Sequence, residues 1–246
     1  MKYLLEVFEN VNRQGPGSNK YTKKAYDMIK GYLPEHPKIL DIGSGKGSQT
    51  FKLAEISNGH VTAIDNHPFF VDFINQKAKD EYIDDMVEAK NGDMNNLTEP
   101  ERMYDVLWAE GSVYNMGFKK GLMELQKFVK IMGFMIVSEA VYIKDNPPDE
   151  LKAFWNMEYP EITTIDKCTE IIEKCNLRII SHFTLPEDGW TTFYYEPISE
   201  VIKEFKEKYR DNAAAIEEFN SIQNEIDIYN KYKDYFSYEY FVMKKV

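Results

Sequence analysis

The sequence is poor in cysteine, in clustered basic charge and in long apolar runs. Its two cysteines, Cys168 and Cys175, sit seven residues apart in a helical pattern, which places their Cα atoms about 10 Å apart, beyond disulfide reach. They are expected as reduced, core or half-core residues. No Cys/His spacing suggests zinc, and no metal is expected. Nothing approaches the roughly 20 apolar residues of a membrane span. The opening MKYLLEVFENVNRQGPGSNK carries acids inside its apolar part and has no small-residue cleavage site, which argues against a secretory signal. The cytoplasm is the expected location, with no membrane partner. Acidic residues outnumber basic ones 41 to 30, a formal charge of −11. Displacing counterions from a phosphate backbone takes clustered Lys and Arg. The richest run, KEFKEKYR, alternates with Glu and reads as a solvated helix face, so no nucleic-acid partner is expected.

What is present is a chain of 246 residues, 43% hydrophobic and 29% charged, enough for one large core. Five apolar, β-favouring runs come first: KILDIG (Lys38 to Gly43), HVTAID (His60 to Asp65), MVEAKNGD (Met86 to Asp93), YDVLWAEG (Tyr104 to Gly111) and GFMIVSEA (Gly133 to Ala140). Amphipathic helical patterns separate them near Ser48 to Ser57, Pro68 to Glu81 and Phe118 to Ile131, with a weaker one after Asp93. This alternation predicts an α/β fold, a mostly parallel, doubly wound sheet with helices on both faces. The last third predicts a helix over Thr163 to Cys175, a strand LRIISHFTL (Leu177 to Leu185), helices around Ile198 to Tyr209 and Ala213 to Tyr232, and a final strand YFSYEYFVMKK with aromatics on both faces. Seven strands result. No repeat or Gly/Ser linker marks a boundary, so residues 1–246 are expected as a single domain.

The segment ILDIGSGKGSQT (Ile39 to Thr50) turns from a strand into glycines and then into a helix. A phosphate loop needs Gly-x-x-x-x-Gly-Lys-Ser/Thr, but Gly45-Lys46 is followed by Gly47, and the hydroxyl residue is missing. A dinucleotide loop needs its third glycine three residues after the second, where this chain has Ser48. Asp-x-Gly-x-Gly-x-Gly is met in full by Asp41, Gly43, Gly45 and Gly47. Glycines admit a close backbone approach, and an acid attracts a cation but repels a pyrophosphate. S-adenosylmethionine (SAM), with its ammonium and sulfonium centres, suits such a loop; the alternative is a tight turn with no ligand. Lys46 is left without a role.

Asp65 ends the second strand, where a carboxylate can accept hydrogen bonds from two ribose hydroxyls; strand-end Asp is also ordinary turn chemistry. Asp93 can accept from an adenine amino group while the Met94 N–H faces a ring nitrogen; the alternative is a plain Asn-Gly-Asp turn. All these positions share the carboxyl edge of the first three strands, where open α/β sheets bind ligands.

With these residues in place, the chain resembles the class I SAM-dependent methyltransferases over nearly its whole length. The resemblance implies a Rossmann-like seven-stranded sheet with an antiparallel last strand. It implies Asp41, Gly43, Gly45 and Gly47 around the methionine part of SAM, Asp65 on the ribose, Asp93 and Met94 at the adenine, and Asn66 or His67 against its face. WAEGSVYNMGF matches the family's fourth-strand segment, so the Ala109 backbone and the Glu110 side chain would border the methionine end and the acceptor. RQGPGS, GSGKGSQT and AEGSVYNMGF together look like a bacterial group of small-molecule-type enzymes. On this reading residues 1–36 are an N-terminal cap, 37–140 the SAM-binding core, and 141–246 a substrate-side half with a helical insertion near 197–233.

Methyl transfer chiefly requires a positioned nucleophile and excluded water, so no fixed catalytic residue is expected. His182 is a weak candidate base. An Asn/Asp-Pro-Pro-aromatic tetrad of nucleic-acid base methylation is absent after the fourth strand, and Asn146-Pro147-Pro148 reads as a loop. NRQGPGSNKYT and PEDGWTTFYYEP are candidate lids. Tyr114, Asn115, Trp155, Trp190 and Tyr194 are candidates to line an acceptor pocket, with aromatics able to stack on a cationic or planar molecule; the alternative for them is core packing. The expected acceptor is a small metabolite, a protein being the next choice; the alternatives from other classes are a non-catalytic SAM- or nucleoside-binding module and an oxidoreductase using a nicotinamide cofactor. A homodimer is left open.

Overall fold

Runs such as KILDI and YDVLWAE have apolar residues on both faces of an extended chain and must be covered on both sides. In the computed structural model, which describes residues 2–246, they form the centre of one sheet. β1 (Lys38–Ile42), β2 (His60–Asp65), β3 (Val87–Asn91), β4 (Tyr104–Glu110) and β5 (Val129–Tyr142) run parallel in the order β3-β2-β1-β4-β5. A two-residue β6 (Thr163–Thr164) pairs with the end of β5. The path continues to β8 (Phe236–Lys245) and ends at β7 (Leu177–Thr184), with β8 antiparallel to both neighbours. The sheet therefore has one strand beyond the seven read from the sequence, and β6 is too short to leave a periodicity. The aromatics on both faces of β8 are explained by its place inside the sheet: Tyr240 and Phe241 are both fully buried, on opposite faces.

Ten helices cover the sheet among the described residues: α1 (Lys2–Glu9), α2 (Asn19–Asp27), α3 (Ser48–Ser57), α4 (Pro68–Asp80), α5 (Phe118–Leu125), α6 (Asp149–Glu158), α7 (Ile165–Lys174), α8 (Glu187–Trp190), α9 (Glu196–Lys208) and α10 (Ala213–Tyr232). Leu53, Ile74, Trp108 and Phe219 lie in one core layer, Leu40, Ala109, Leu122 and Ile172 in the other. None of these helices is long and apolar enough to cross a membrane.

Two local expectations are corrected. The helix expected over Phe118 to Ile131 ends at Leu125. A 3-10 turn follows and β5 starts at Val129, which is fully buried and paired with Tyr104. Met132 then takes a left-handed φ of +65° and the register shifts against β4, so packing of β-branched residues overrides a helical periodicity. The weak pattern after Asp93 forms turns, not a helix. Asn146-Pro147-Pro148 is a loop, as expected, and leads directly into α6.

β1 lies between β2 and β4, from which the chain departs in opposite directions along the sheet. That switch point opens a crevice at the strands' carboxyl ends, and the glycine segment sits there.

Candidate cofactor and acceptor site

The strand-to-helix turn after β1 is built by Gly43, Gly45 and Gly47, whose φ values of +68°, +53° and +79° suit residues without a Cβ. A Cβ on Gly43 would lie 2.5 Å from Cβ of Ser112, and one on Gly45 would lie 2.3 Å from Oε1 of Gln14. The first is approach by the segment after β4, the second by the N-terminal segment. Asp65 braces the turn: its Oδ2 accepts the Gly45 N–H at 2.8 Å and its Oδ1 accepts the His67 N–H at 2.9 Å. Asp41 is fully buried and ties α3 to β1, accepting from the Thr50 hydroxyl at 2.6 Å and from Gln49 Nε2 at 3.4 Å. Burial pushes its pKa up to about 7, with the Thr50 bond holding the rise back.

The two segments expected as lids meet each other, and the first is fastened to this turn. Gly17 N–H donates to the Gly189 carbonyl at 3.0 Å, and Tyr21 hydrogen-bonds Asp188. Residues 9–14 are fastened to the glycine turn by four bonds. Gln14 Oε1 accepts the Lys46 N–H at 2.8 Å, Lys46 Nζ donates to the Glu9 carbonyl at 2.9 Å, the Ser48 hydroxyl donates to the Asn12 carbonyl at 3.1 Å, and His67 Nε2 meets Glu9 Oε1 at 2.8 Å. Lys46 thus has a role that the sequence left blank: it holds the end of α1. Between the lids, Arg13, Ser18, Ser48, Thr192 and Phe193 line a cavity of about 440 Å³.

Glu110 closes the far side. Its side chain is 1% exposed, and it accepts from Arg13 Nη1 at 2.8 Å, the Thr22 hydroxyl at 2.7 Å and Trp108 Nε1 at 2.9 Å. Arg13 is the residue that sequence reading missed. Its Nη2 is buried with no partner, as is the Ser44 hydroxyl in the glycine turn. A glycine cradle, a braced acid and an unmet guanidinium N–H together fit an amino-acid-bearing nucleoside such as SAM, whose carboxylate would satisfy Arg13.

The remaining sequence candidates divide. Met94 reaches the same point as Ser112, its Cε 3.6 Å from where a Gly43 Cβ would lie. Asp93 spends Oδ1 on the Asn95 N–H at 2.8 Å, and this bond chiefly holds its pKa down. Asn66 is exposed beside the cradle, and Ala109 is fully buried at the end of β4. Tyr114 and Tyr194 lie close enough to interact electrostatically. Asn115 is exposed and donates to the Ser112 carbonyl. Trp190 is 2% exposed, stacked on Tyr229 and bonded to Ser237, and Trp155 packs on Phe154 and Phe236; both serve the core. His182 stands on the edge strand β7, stacked over Phe241 and 2.5 Å from Glu239. It lines a groove with Thr169, Glu173 and Arg178 and makes no hydrogen bond to the residues around the glycine turn.

A sequence profile for a methyltransferase domain matches residues 34–197, two thirds of the chain. Phosphoethanolamine N-methyltransferase of Plasmodium falciparum (isolate 3D7) is 23% identical over 218 residues, spanning 83% of this chain and 80% of that protein. The 27-O-demethylrifamycin SV methyltransferase of Amycolatopsis mediterranei is 31% identical over 97 residues, 39% of this chain and 36% of that one. A SAM-dependent methyltransferase from Geobacter sulfurreducens, solved with S-adenosyl-L-homocysteine, superposes with a TM-score of 0.85 over 99% of this chain and 98% of its own, at 16% identity.

Proposed function

The chain belongs to the SAM-dependent methyltransferases of the methyltransferase domain family, and from that premise we propose that it methylates a small molecule enclosed between its two lids and the end of β4. The observation that carries this reading is the double roof. Residues 9–14 are fastened to the glycine turn, and the two segments are bonded to each other through Gly17 and Gly189, an arrangement that suits an acceptor small enough to be surrounded. A protein segment needs an open groove across this edge. The names of the Plasmodium and Amycolatopsis relatives, which refer to phosphoethanolamine and a rifamycin, favour the same size class.

When bound, SAM supplies an activated methyl group on a sulfonium centre. On this reading the protein's own work is placement. The turn at Gly43, Gly45 and Gly47 and the acid at Asp41 receive the methionine part, Arg13 takes its carboxylate, and Asp65 offers its remaining lone pairs to the ribose. Asp93, Met94, Asn66 and His67 border the adenine, and Ala109 and Glu110 the methionine end. The lids exclude water from the reacting centre.

Calorimetry tests the cofactor part. SAM and S-adenosylhomocysteine are expected to bind and NADH is not; binding of NADH with neither sulfur compound would sink the assignment. Asp65→Ala should weaken S-adenosylhomocysteine binding by roughly 1.5 to 3 kcal/mol, the worth of hydrogen bonds to a charged group. Unchanged affinity would remove Asp65 from the site. Methyl transfer to proteins in a lysate, with none to its small-molecule fraction, would overturn the acceptor class.

A further inference from the structure

Resting on the reading of a small-molecule methyltransferase, we propose that the acceptor carries an anionic oxygen group, a phosphate or a carboxylate, held in the cavity between the two lids at the N-terminus of α2.

The cavity, about 440 Å³ in volume, is walled by hydrogen-bond donors. The first lid contributes Arg13, Ser18, Asn19 and Lys20 and the second Thr192 and Phe193, while Ser48 opens α3 directly after the glycine turn. No acidic side chain lines it. Ser18 is the N-cap of α2, extended at φ −163° and ψ 162°, yet its side chain makes no capping bond. The residue is 4% exposed and its hydroxyl has no hydrogen-bond partner, an arrangement that is costly unless something completes it. Among the described residues nothing accepts from the N–H of Asn19 or Lys20, the first two of the helix, and no acid stands in its first turn. Free N–H groups at the positive end of a helix dipole, beside an unused cap hydroxyl, suit an anion.

Arg13 brings charge to the same place. Its side chain is 9% exposed, and Nη1 lies 2.6 Å from where a Cβ on Gly17, the neighbour of Ser18, would be. Nη1 is engaged by Glu110; Nη2 carries two N–H groups, one for the cofactor carboxylate and one for the cavity. The cofactor thus accounts for Arg13 but leaves Ser18 and the start of α2 without a partner. Lys20 completes the set. Its ammonium is 3.3 Å from the Tyr21 hydroxyl and 3.4 Å from Asp188, long contacts that leave a donor over. The acids nearest these cations, Glu110 and Asp188, are paired with them and stay out of the lining. A cationic group in this wall would meet donors alone, whereas a phosphate or carboxylate meets a donor for each of its oxygens. Phe193, 41% exposed, offers a ring to the rest of the molecule, and the Arg13–Glu110 bond sets the cavity one side chain from the end of β4.

The test titrates protein saturated with S-adenosylhomocysteine with inorganic phosphate, acetate and uncharged acetamide at constant ionic strength. Phosphate or acetate is expected to bind at least about ten-fold tighter than acetamide, without displacing S-adenosylhomocysteine, and the tighter of the two names the group. Ser18→Asp keeps a good N-cap, so the melting temperature should hold or rise. It also puts a carboxylate in the wall, and should weaken the anion at least about ten-fold. Lys20→Met, at an exposed position, should weaken it about three-fold and reads the site if the first variant fails to fold. In an acceptor panel sorted by charge, methyl transfer should favour phosphorylated or carboxylated members. An anion that expels S-adenosylhomocysteine would show that the cavity holds the cofactor's own carboxylate and overturn the proposal. So would equal affinity for acetamide, undiminished binding to Ser18→Asp, or turnover confined to uncharged and cationic acceptors, and each of these leaves the small-molecule reading standing. Failure of S-adenosylhomocysteine to bind would overturn both.

Discussion

At Glu110 three donors converge on one carboxylate that solvent does not reach, and the strongest of them comes from a residue 97 positions earlier, Arg13. Removing one partner of a buried ion pair leaves the other charge uncompensated, which costs about 3 to 5 kcal/mol, whereas replacing both costs far less. Arg13→Met should therefore lower unfolding stability in urea by about that amount, and the double variant Arg13→Met/Glu110→Gln should recover most of it. A single variant as stable as the parent would show that the pair is not sealed. Gly45 offers a second test. A left-handed φ costs an L-residue about 1 to 2 kcal/mol, and the added methyl must also push Gln14 aside. Gly45→Ala should thus both destabilise the protein and weaken S-adenosylhomocysteine binding; loss of stability with affinity intact would separate the turn from the ligand. Asp41, the three glycines and Asp65 were legible in the sequence because their spacing is local and each follows a strand. Arg13 was not, because nothing near it in the chain announces a partner that arrives only when the sheet forms.

Among elements, the N-terminal cap was anticipated as a covering segment, but α1 and α2 were not. Both are short, and their helical state depends on what they pack against: Val7, Tyr21 and Ala25 are buried in the layer that also holds Leu53 and Ile74. The helix α6 left a signal that was passed over, since Pro148 followed by Asp149 and Glu150 places acids in the first turn, where they suit the helix dipole. Lys46 does the converse for α1, putting an ammonium on the carbonyl of its last residue. Burial lowers its pKa, and its bond to the helix end contributes about 0.3 to 1 kcal/mol. Lys46→Met should speed amide exchange across residues 2–14 without lowering global stability by more than that amount. If exchange rises while S-adenosylhomocysteine still protects the segment, α1 is a cover held by its ligand; if the ligand gives no protection, α1 is only scaffold.

At the scale of the whole molecule, the parallel core was readable from alternating strands and helices, and the antiparallel final strand followed from the family resemblance. The insertion of β8 between β5 and β7 is what surrounds its aromatics, and it brings Tyr238 and Tyr240 from the far end of the chain to the end of β4. The fold also holds three acids of raised pKa. Asp41 and Glu225 sit at about 7 and Glu139 at about 8, each raised mainly by burial, against ordinary values near 4 in an unfolded chain. The folded state therefore holds protons that the unfolded state releases. Their stabilising contribution is full below pH about 4, falls by at most about 1.4 kcal/mol per pH unit for each group as pH rises, and is gone above about 8. The acids whose values are lowered, such as Asp27, Asp188 and Glu150, are partly or largely exposed pairs, and they act in the opposite sense only as pH falls below about 4. Between pH 5 and 8, then, the melting temperature of the ligand-free protein should decline steadily. Asp41→Asn should flatten part of that decline, because it removes one of the three protons at issue. A melting temperature that is level or rising over this range would mean that these carboxyls are ionised in the fold.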